Sequence, residues 1–335
     1  MKTKTWYMLT LFLLHVSCQF ITIQAEKVKT APDSLEANPN ELGRVLILEY
    51  HLIGTPEGEW RRTPENFRKD LIMLYENGYY PVKLQDYMQG NINVPKGKTP
   101  FILTFDDSSA GQFTAVKTAD GIMPTRDCAV GIMEAMKKEY PDFPLTATFF
   151  VLPGIKKHLR LFGQPELIKE KLTYLVKHGY EIGNHTLWHQ NLRKASELEI
   201  KRQLALANKY IQEYLPGYEM KSLALPFGEM PENSTVLRAG EFEGIGYNIN
   251  AVLLVSGGPA LSVFHRDFNP MKIPRIQAGD TPYGPAAIIS NWRKNPHKRF
   301  ISDGDAAKIT IPYSHADALS PKYFNKFDVI YIKKN

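Results

Sequence analysis

Apolar residues along the chain fall into two alternating patterns. Short runs at 45–50, 101–105 and 146–152 are almost wholly apolar. Their length and composition are those of strands buried on both faces of a parallel sheet. Between them lie longer segments with a single apolar face. The clearest opens at Thr63-Pro64-Glu65, with Thr63 as N-cap and Pro64 in the first turn. Phe67, Leu71, Leu74 and Tyr75 form its apolar stripe and Gly78 stops it. Further strands are expected at 79–84, 180–183, 222–225 and 247–255. Further helices are expected at 128–139, 166–177 and 196–214, the last with Ser196 and Glu199 at capping-box spacing. The stretch 108–144 exceeds a usual loop and reads as an insertion ending in the 128–139 helix. Beyond Pro270 helix signals thin out, leaving loops and a final strand at 329–332. This alternation predicts an α/β fold, a parallel sheet covered by helices, either as a barrel or open.

The two ends and the charge add a setting. Lys2 and Lys4 precede an apolar run at 6–14, and polar residues then precede a possible small-residue cut after Ala25. Residues 1–25 therefore read as an export signal, since a bilayer span needs about 20 apolar residues. A lipoprotein signal acylated at Cys18 ranks second, because His15 stands where such signals carry an aliphatic residue. Residues 26–43, with Pro32, Asn38, Pro39 and Asn40, read as a linker, and 44–335 as one catalytic domain. Of the two cysteines, cleavage leaves Cys128 alone, so no intramolecular disulfide is expected. The net charge of +6 suits a cell wall or membrane surface. No basic block with interleaved aromatics points to nucleic acid. A monomer is expected.

The candidate chemistry lies where strands end. The run at 45–50 ends at His51, that at 101–105 at Asp106-Asp107, that at 180–183 at Asn184-His185 with His189 beyond, and that at 222–225 at Pro226-Phe227-Gly228. In parallel α/β folds these ends share one rim, where ligand sites form. Adjacent acids repel unless a cation or a shared proton sits nearby, although one Asp capping a helix would also explain them. Histidines four apart on a helical turn present both imidazoles to one side. One Asp with two His leaves open positions on Zn²⁺, Co²⁺, Ni²⁺ or Fe²⁺, which would acidify a water and polarise a carbonyl.

Thr104-Phe105-Asp106-Asp107, His185-Thr186-Leu187-Trp188-His189 and Leu225-Pro226-Phe227-Gly228 resemble the first three motifs of the polysaccharide deacetylases, the NodB-homology or carbohydrate esterase family 4 domain. The resemblance covers about 44–280. It implies a distorted (β/α) barrel with fewer than eight strands and a divalent metal, most readily Zn²⁺. It also implies Asp106 as general base, Asp107, His185 and His189 as ligands, and a substrate polymer of N-acetylated sugars. Two departures stand out. The Arg that orients the base is replaced by Ala224, and Arg275 is the candidate substitute. The last strand carries no His for the acid. Leu48-Glu49-Tyr50-His51 instead resembles the N-terminal segment of a circularly permuted branch that includes poly-N-acetylglucosamine deacetylases, which implies His51 as acid, with His315 in reserve. His265 and Asp267 find no place in the pattern. Pro226, Phe227, Gly228 and Trp188 are expected to contact substrate, and Tyr283 is a further candidate for stacking on sugar. Two rival readings are a non-haem Fe(II) oxygenase and a glycan-binding protein that keeps the metal site without catalysis.

Overall fold

The computed structural model describes residues 38–155 and 161–333, so the export signal and Cys18 lie outside the described residues. Eight parallel strands matter for the site: β1 (Leu46–Tyr50), β2 (Tyr79–Pro81), β3 (Thr99–Phe105), β4 (Thr148–Val151), β5 (Glu181–Asn184), β6 (Ser222–Ala224), β7 (Ala251–Gly257) and β8 (Ile273–Gln277). Seven of them close into a ring in the order β1-β3-β4-β5-β6-β7-β8 and back to β1. β2 stays outside the ring, pairing with the first half of β3 while β4 pairs with the second half. The first strand in sequence thus sits between the third and the last. Leu46 to Tyr50 run beside Phe101 to Phe105, and Leu48 sits opposite Ile276.

Strand parity sorts the side chains. Val45, Ile47, Ile102, Phe150, Ala224, Leu253 and Ile273 belong to one cluster that fills the barrel. It continues into Tyr87, Phe264 and Phe300, which plug the end where the strands begin. The alternate residues, Leu46, Leu48, Tyr50, Leu103, Phe105 and Phe149, pack outward beneath helices. These helices are α1 (Pro64–Glu76), α2 (Leu84–Gln89), α3 (Ala129–Glu139), α4 (Ile168–Lys177), α5 (Glu197–Tyr214) and α6 (Pro285–Lys294). In α1 the Thr63 side chain accepts from Asn66 N–H, and Phe67, Leu71 and Leu74 are fully buried. Each such side chain contributes about 1.5–3 kcal/mol. Truncating Leu71 to Ala is expected to remove about 2–5 kcal/mol.

Several boundaries differ from those expected. Residues 40–43, assigned to the linker, are buried: Asn40 and Ile301 exchange backbone hydrogen bonds, and a Cβ on Gly43 would strike the Arg299 backbone. The strand expected at 79–84 stops at Pro81, because Lys83 opens the short helix α2. The 247–255 run is split, with Ile245–Asn248 in an antiparallel hairpin and the barrel strand starting at Ala251. The region after Pro270 supplies the barrel strand β8 and the helix α6 as well as loops. The final strand, Asp328–Ile332, pairs with Lys308–Pro312 outside the barrel.

Candidate active site

Inward parity on three strands brings the polar residues together. Beyond Val45 and Ile47 come Glu49 and His51; beyond Ile102 come Thr104 and Asp106; beyond Ile273 comes Arg275. Asp106 is fully buried and donates its N–H to Tyr50 O. Arg275, also fully buried, clasps it with both arms, Nη1 to Oδ1 at 2.8 Å and Nη2 to Oδ2 at 2.6 Å. The guanidinium is fixed by Leu254 O at 2.6 Å, Thr104 Oγ1 at 3.0 Å and Glu49 Oε1 at 3.0 Å. This fork is the strong bidentate form of charge pairing. Burial alone would raise the Asp106 carboxyl, but Arg275 and then His185 outweigh it and hold the group well below the usual carboxylate range. Arg275 thus stands where the sequence suggested a substitute. The guanidinium that meets Asp106 comes from the strand that pairs with β1, and not from position 224.

Asp107 and Ser108 then turn the chain through left-handed backbone, with φ 75° and 47°. Asp107 Oδ1 lies 3.3 Å from His185 Nε2 and 3.5 Å from His189 Nε2. The His185 Nδ1 lies 2.9 Å from Ala224 O, which assigns it the proton and turns the Nε2 lone pair toward Asp107. His185 Nε2 and Asp107 Oδ1 are both buried without a hydrogen-bond partner. An unmet buried polar atom costs about 1–3 kcal/mol. A carboxylate oxygen and two imidazole nitrogens, all within 4.8 Å of one another, would meet that need around one divalent cation. The residues therefore fit a metal site.

The histidine segment is a bent loop and not the helical turn expected. Thr186 and His189 are left-handed, at φ 67° and 58°. Buried side chains hold the bend. Asn184 Oδ1 accepts from Thr186 N–H at 2.8 Å. Gln203, on α5, accepts from the N–H groups of Leu187 and Trp188 at 3.1 and 3.0 Å. Glu199 anchors Gln203 in turn, at 2.7 Å. The Glu199 carboxylate is thus spent on Gln203, while its N–H takes the Ser196 cap.

His51 places its Nε2 3.7 Å from Glu49 Oε1 and its ring against the edge of Trp60, 4.7 Å between centroids. Gln112 Nε2 ties the two rim strands by donating to the carbonyls of both His51 and Asp106. Burial pushes the imidazole of His51 down against the pull of Asp106 and Asp107. Phe227 is 59% exposed, left-handed at φ 62°, and sits 4.6 Å from the His189 ring. Pro226 is buried beneath it, and a Cβ on Gly228 would press on Val255. Trp188 is exposed, with the Arg202 guanidinium 4.8 Å from its ring. Tyr283 is exposed and belongs to the loop before α6. His315 and His265 lie at the other end of the barrel: His265 feels Asp267, Arg44 and His315, and Arg44 precedes β1. They are not part of this site. Gln112, Gln203 and Trp60 were not singled out from sequence, and Glu49 and Thr104 entered only within motifs, without a role; for Glu49, the alternation Val45-Ile47-Glu49-His51 was the available signal.

The structure is thus a parallel α/β barrel that carries a cation-fitting triad and an Arg-clasped acid at its carboxyl rim. Residues 93–245 match the family model for polysaccharide deacetylase. Over 170 residues the chain is 30% identical to a peptidoglycan-N-acetylglucosamine deacetylase of Bacillus cereus, covering 51% of each chain. Over 147 residues it is 26% identical to a chitooligosaccharide deacetylase of Sinorhizobium fredii, covering 44% of this chain and 55% of that one. The chain thus spans about half the length of the curated relatives it matches. Among solved structures, the deacetylase PplD of Streptococcus pyogenes has TM-score 0.54 at 19% identity, over 76% of this chain and 98% of that one. IcaB from Ammonifex degensii has the same TM-score and identity, over 74% and 96%. Residues 93–245 thus resemble the polysaccharide deacetylases, and the ring of seven parallel strands is a NodB-like (β/α) barrel with fewer than eight strands. The family match includes Asp106, Asp107, His185, His189 and Phe227 but neither His51 nor Arg275.

Proposed function

We propose that this protein hydrolyses acetyl groups, foremost N-acetyl groups on amino sugars, from a cell-wall or extracellular polysaccharide. The observation that carries this reading is the Arg275 fork on Asp106, beside the unpartnered face shared by Asp107 and His185. Asp107, His185 and His189 would hold the divalent cation, most readily Zn²⁺. When bound, it would polarise the acetyl carbonyl and acidify a water. Asp106 accepts the proton of the attacking water. Arg275 keeps that carboxylate ionised and fixes its plane. His51, grouped with Glu49 and Asp106, donates a proton to the leaving amine. In the turn at Pro226–Gly228, Pro226 has no N–H and the Gly228 N–H is bonded to Leu225 O, so the Phe227 N–H is the donor suited to a developing oxyanion. Phe227, Trp188 and Trp60 offer exposed rings to sugar faces. Residues 1–25 would direct the chain out of the cytoplasm.

The glycan-binding reading without catalysis drew on the Arg missing at Ala224, and the position of Arg275 takes away that ground. The test is acetate release from peptidoglycan, poly-N-acetylglucosamine, chitin oligomers and acetylated xylan, with and without chelator. Release from at least one polymer, lost on chelation and regained with added cation, is expected. Binding to all four without acetate release would sink the reading.

A further inference from the structure

Glu49 has no role in the chemistry so far, yet it is among the most constrained residues in the barrel. It is 1% exposed. One oxygen, Oε1, takes Arg275 Nη2 at 3.0 Å and faces His51 Nε2 at 3.7 Å. The other, Oε2, is buried with no hydrogen-bond partner. A carboxyl placed in an apolar lumen with half its capacity unmet is destabilising, so packing alone does not account for it. A single guanidinium is thereby divided between two carboxyls, Asp106 and Glu49, and each faces a different reacting function. Asp106 faces the water to be deprotonated, and Glu49 faces the imidazole that protonates the amine.

Glu49, His51 and Asp106 also lie close enough to hold an ion. The Arg275 guanidinium already occupies the positive position between the two carboxyls, which assigns this group to proton handling.

Resting on the deacetylase reading, we infer that Glu49 is a positioning residue for the acid: it orients and supports the protonated imidazole of His51 and, through Arg275, links that imidazole to the base Asp106. The groups facing His51 are Glu49 on its own strand, Asp106 and Asp107 at the end of β3, Arg275 on β8 and His185 after β5. Of these, Asp106 takes both arms of Arg275, and Asp107 is directed at His185 and His189. Glu49 is the carboxyl left for the imidazole. Burial pushes Glu49 well up and His51 down, opposite directions that suit a pair holding one proton.

The experiment compares wild type, Glu49→Gln and Glu49→Asp on whichever polymer releases acetate, reading kcat, KM and the pH profile, with cation affinity by titration as an activity-free control. Glu49→Gln keeps an oxygen for Arg275 and removes the charge. It should lower kcat at least about 10-fold at unchanged KM and unchanged cation affinity, and move the alkaline limb of kcat to lower pH. Glu49→Asp, which keeps the charge, should leave that limb in place. In a His51→Ala background, Glu49→Gln should add nothing further, since residues acting through one another are not additive. Unchanged kcat and profile in Glu49→Gln, or full additivity with His51→Ala, would overturn the inference. If Glu49→Gln does not fold, the Asp variant decides: an alkaline limb displaced from its wild-type position overturns it. Absence of acetate release by wild type would instead overturn the deacetylase reading itself.

Discussion

The two ends of the barrel are built by opposite rules. At the end where strands begin, several buried polar groups are met, although Asn40 Oδ1 is not. Glu41, 3% exposed, accepts backbone N–H groups from Thr310 at 2.9 Å and Asp303 at 3.3 Å. Ser262 Oγ donates to Glu41 O, and Thr99 Oγ1 donates to Phe300 O. At the rim where strands end, buried atoms of Asp107, His185 and Glu49 stand unmet, and Asp107, Ser108, Thr186, His189 and Phe227 all take left-handed backbone. Each such non-glycine residue costs roughly 1–2 kcal/mol. The rim is held in an unfavourable state by a well-satisfied barrel beneath it, and stability and chemistry are assigned to different ends of the same strands.

The sharpest way to break this contrast is at Asp106. Asp106→Asn is expected to lower kcat by about 10³-fold, in the range assigned to general base catalysis. Cation affinity by titration calorimetry should hardly change, since Asp107, His185 and His189 remain. A variant retaining a tenth of the activity would remove Asp106 from the role of base. Arg275→Met tests stability and chemistry together. It leaves two carboxyls buried and unpaired, for which a loss of about 3–5 kcal/mol is expected, read by urea unfolding alongside a fall in kcat. A loss under about 1 kcal/mol would show that the fork is not what holds the rim.

His185→Ala tests the metal side. It should weaken cation binding by at least about 100-fold and, because it removes an unmet buried nitrogen, should cost less stability in the metal-free protein than an ordinary buried truncation. A metal-free Tm as depressed as that of Leu71→Ala would contradict the claim that the rim is under-satisfied. A smaller effect is expected at Phe227. Phe227→Gly relieves the left-handed backbone, so unfolding free energy should rise by up to about 1 kcal/mol while kcat/KM falls. A clear drop in Tm would mean the turn is not strained.

The smallest expected effect, at the opposite end, belongs to Glu41. Burial pushes its carboxyl up to about 8, against the opposing pull of the Thr310 N–H. The folded form binds this proton more tightly than the unfolded chain, where the value is 4.5. The stability it contributes is complete below the unfolded value and is lost as pH rises from there through about 8. Glu41→Gln, which cannot ionise, should flatten the Tm decline across that window. An identical pH dependence would refute the assignment.

The sequence carried the rim well where chemistry follows directly after an apolar run. Asp106, Asp107, His185 and His189 could be read because β3 and β5 are plain buried strands that end in polar residues. Arg275 could be suggested but not placed, since its partner, Asp106, lies 169 positions away and only ring closure brings them together. The inward parity of Val45, Ile47, Glu49 and His51 was visible, but one charged residue in an apolar run gives no sign of its partner. The shape of the His185–His189 loop was not legible at all. It depends on Gln203 and Asn184, whose amides look like ordinary helix and strand-end residues until the packing is known. The helix α6 and strand β8 were obscured by the proline and glycine richness of the region after Pro270, and residues 40–43 by a polar composition that turns out to serve backbone pairing.

The position of β1 has a consequence for the order of events in biosynthesis. His51 leaves the ribosome just after β1, Asp106, Asp107, His185 and His189 follow, and Arg275 emerges only with β8. Until β8 emerges to pair with β1, contacts such as Leu48 with Ile276 cannot form and the ring stays open. Pairings of such long sequence separation form late. A chain cut short, stalled or nicked anywhere between these strands holds the rim residues but not their constellation. The arrangement proposed for hydrolysis is therefore assembled only once β8 has joined β1, and the barrel acts as its own quality check.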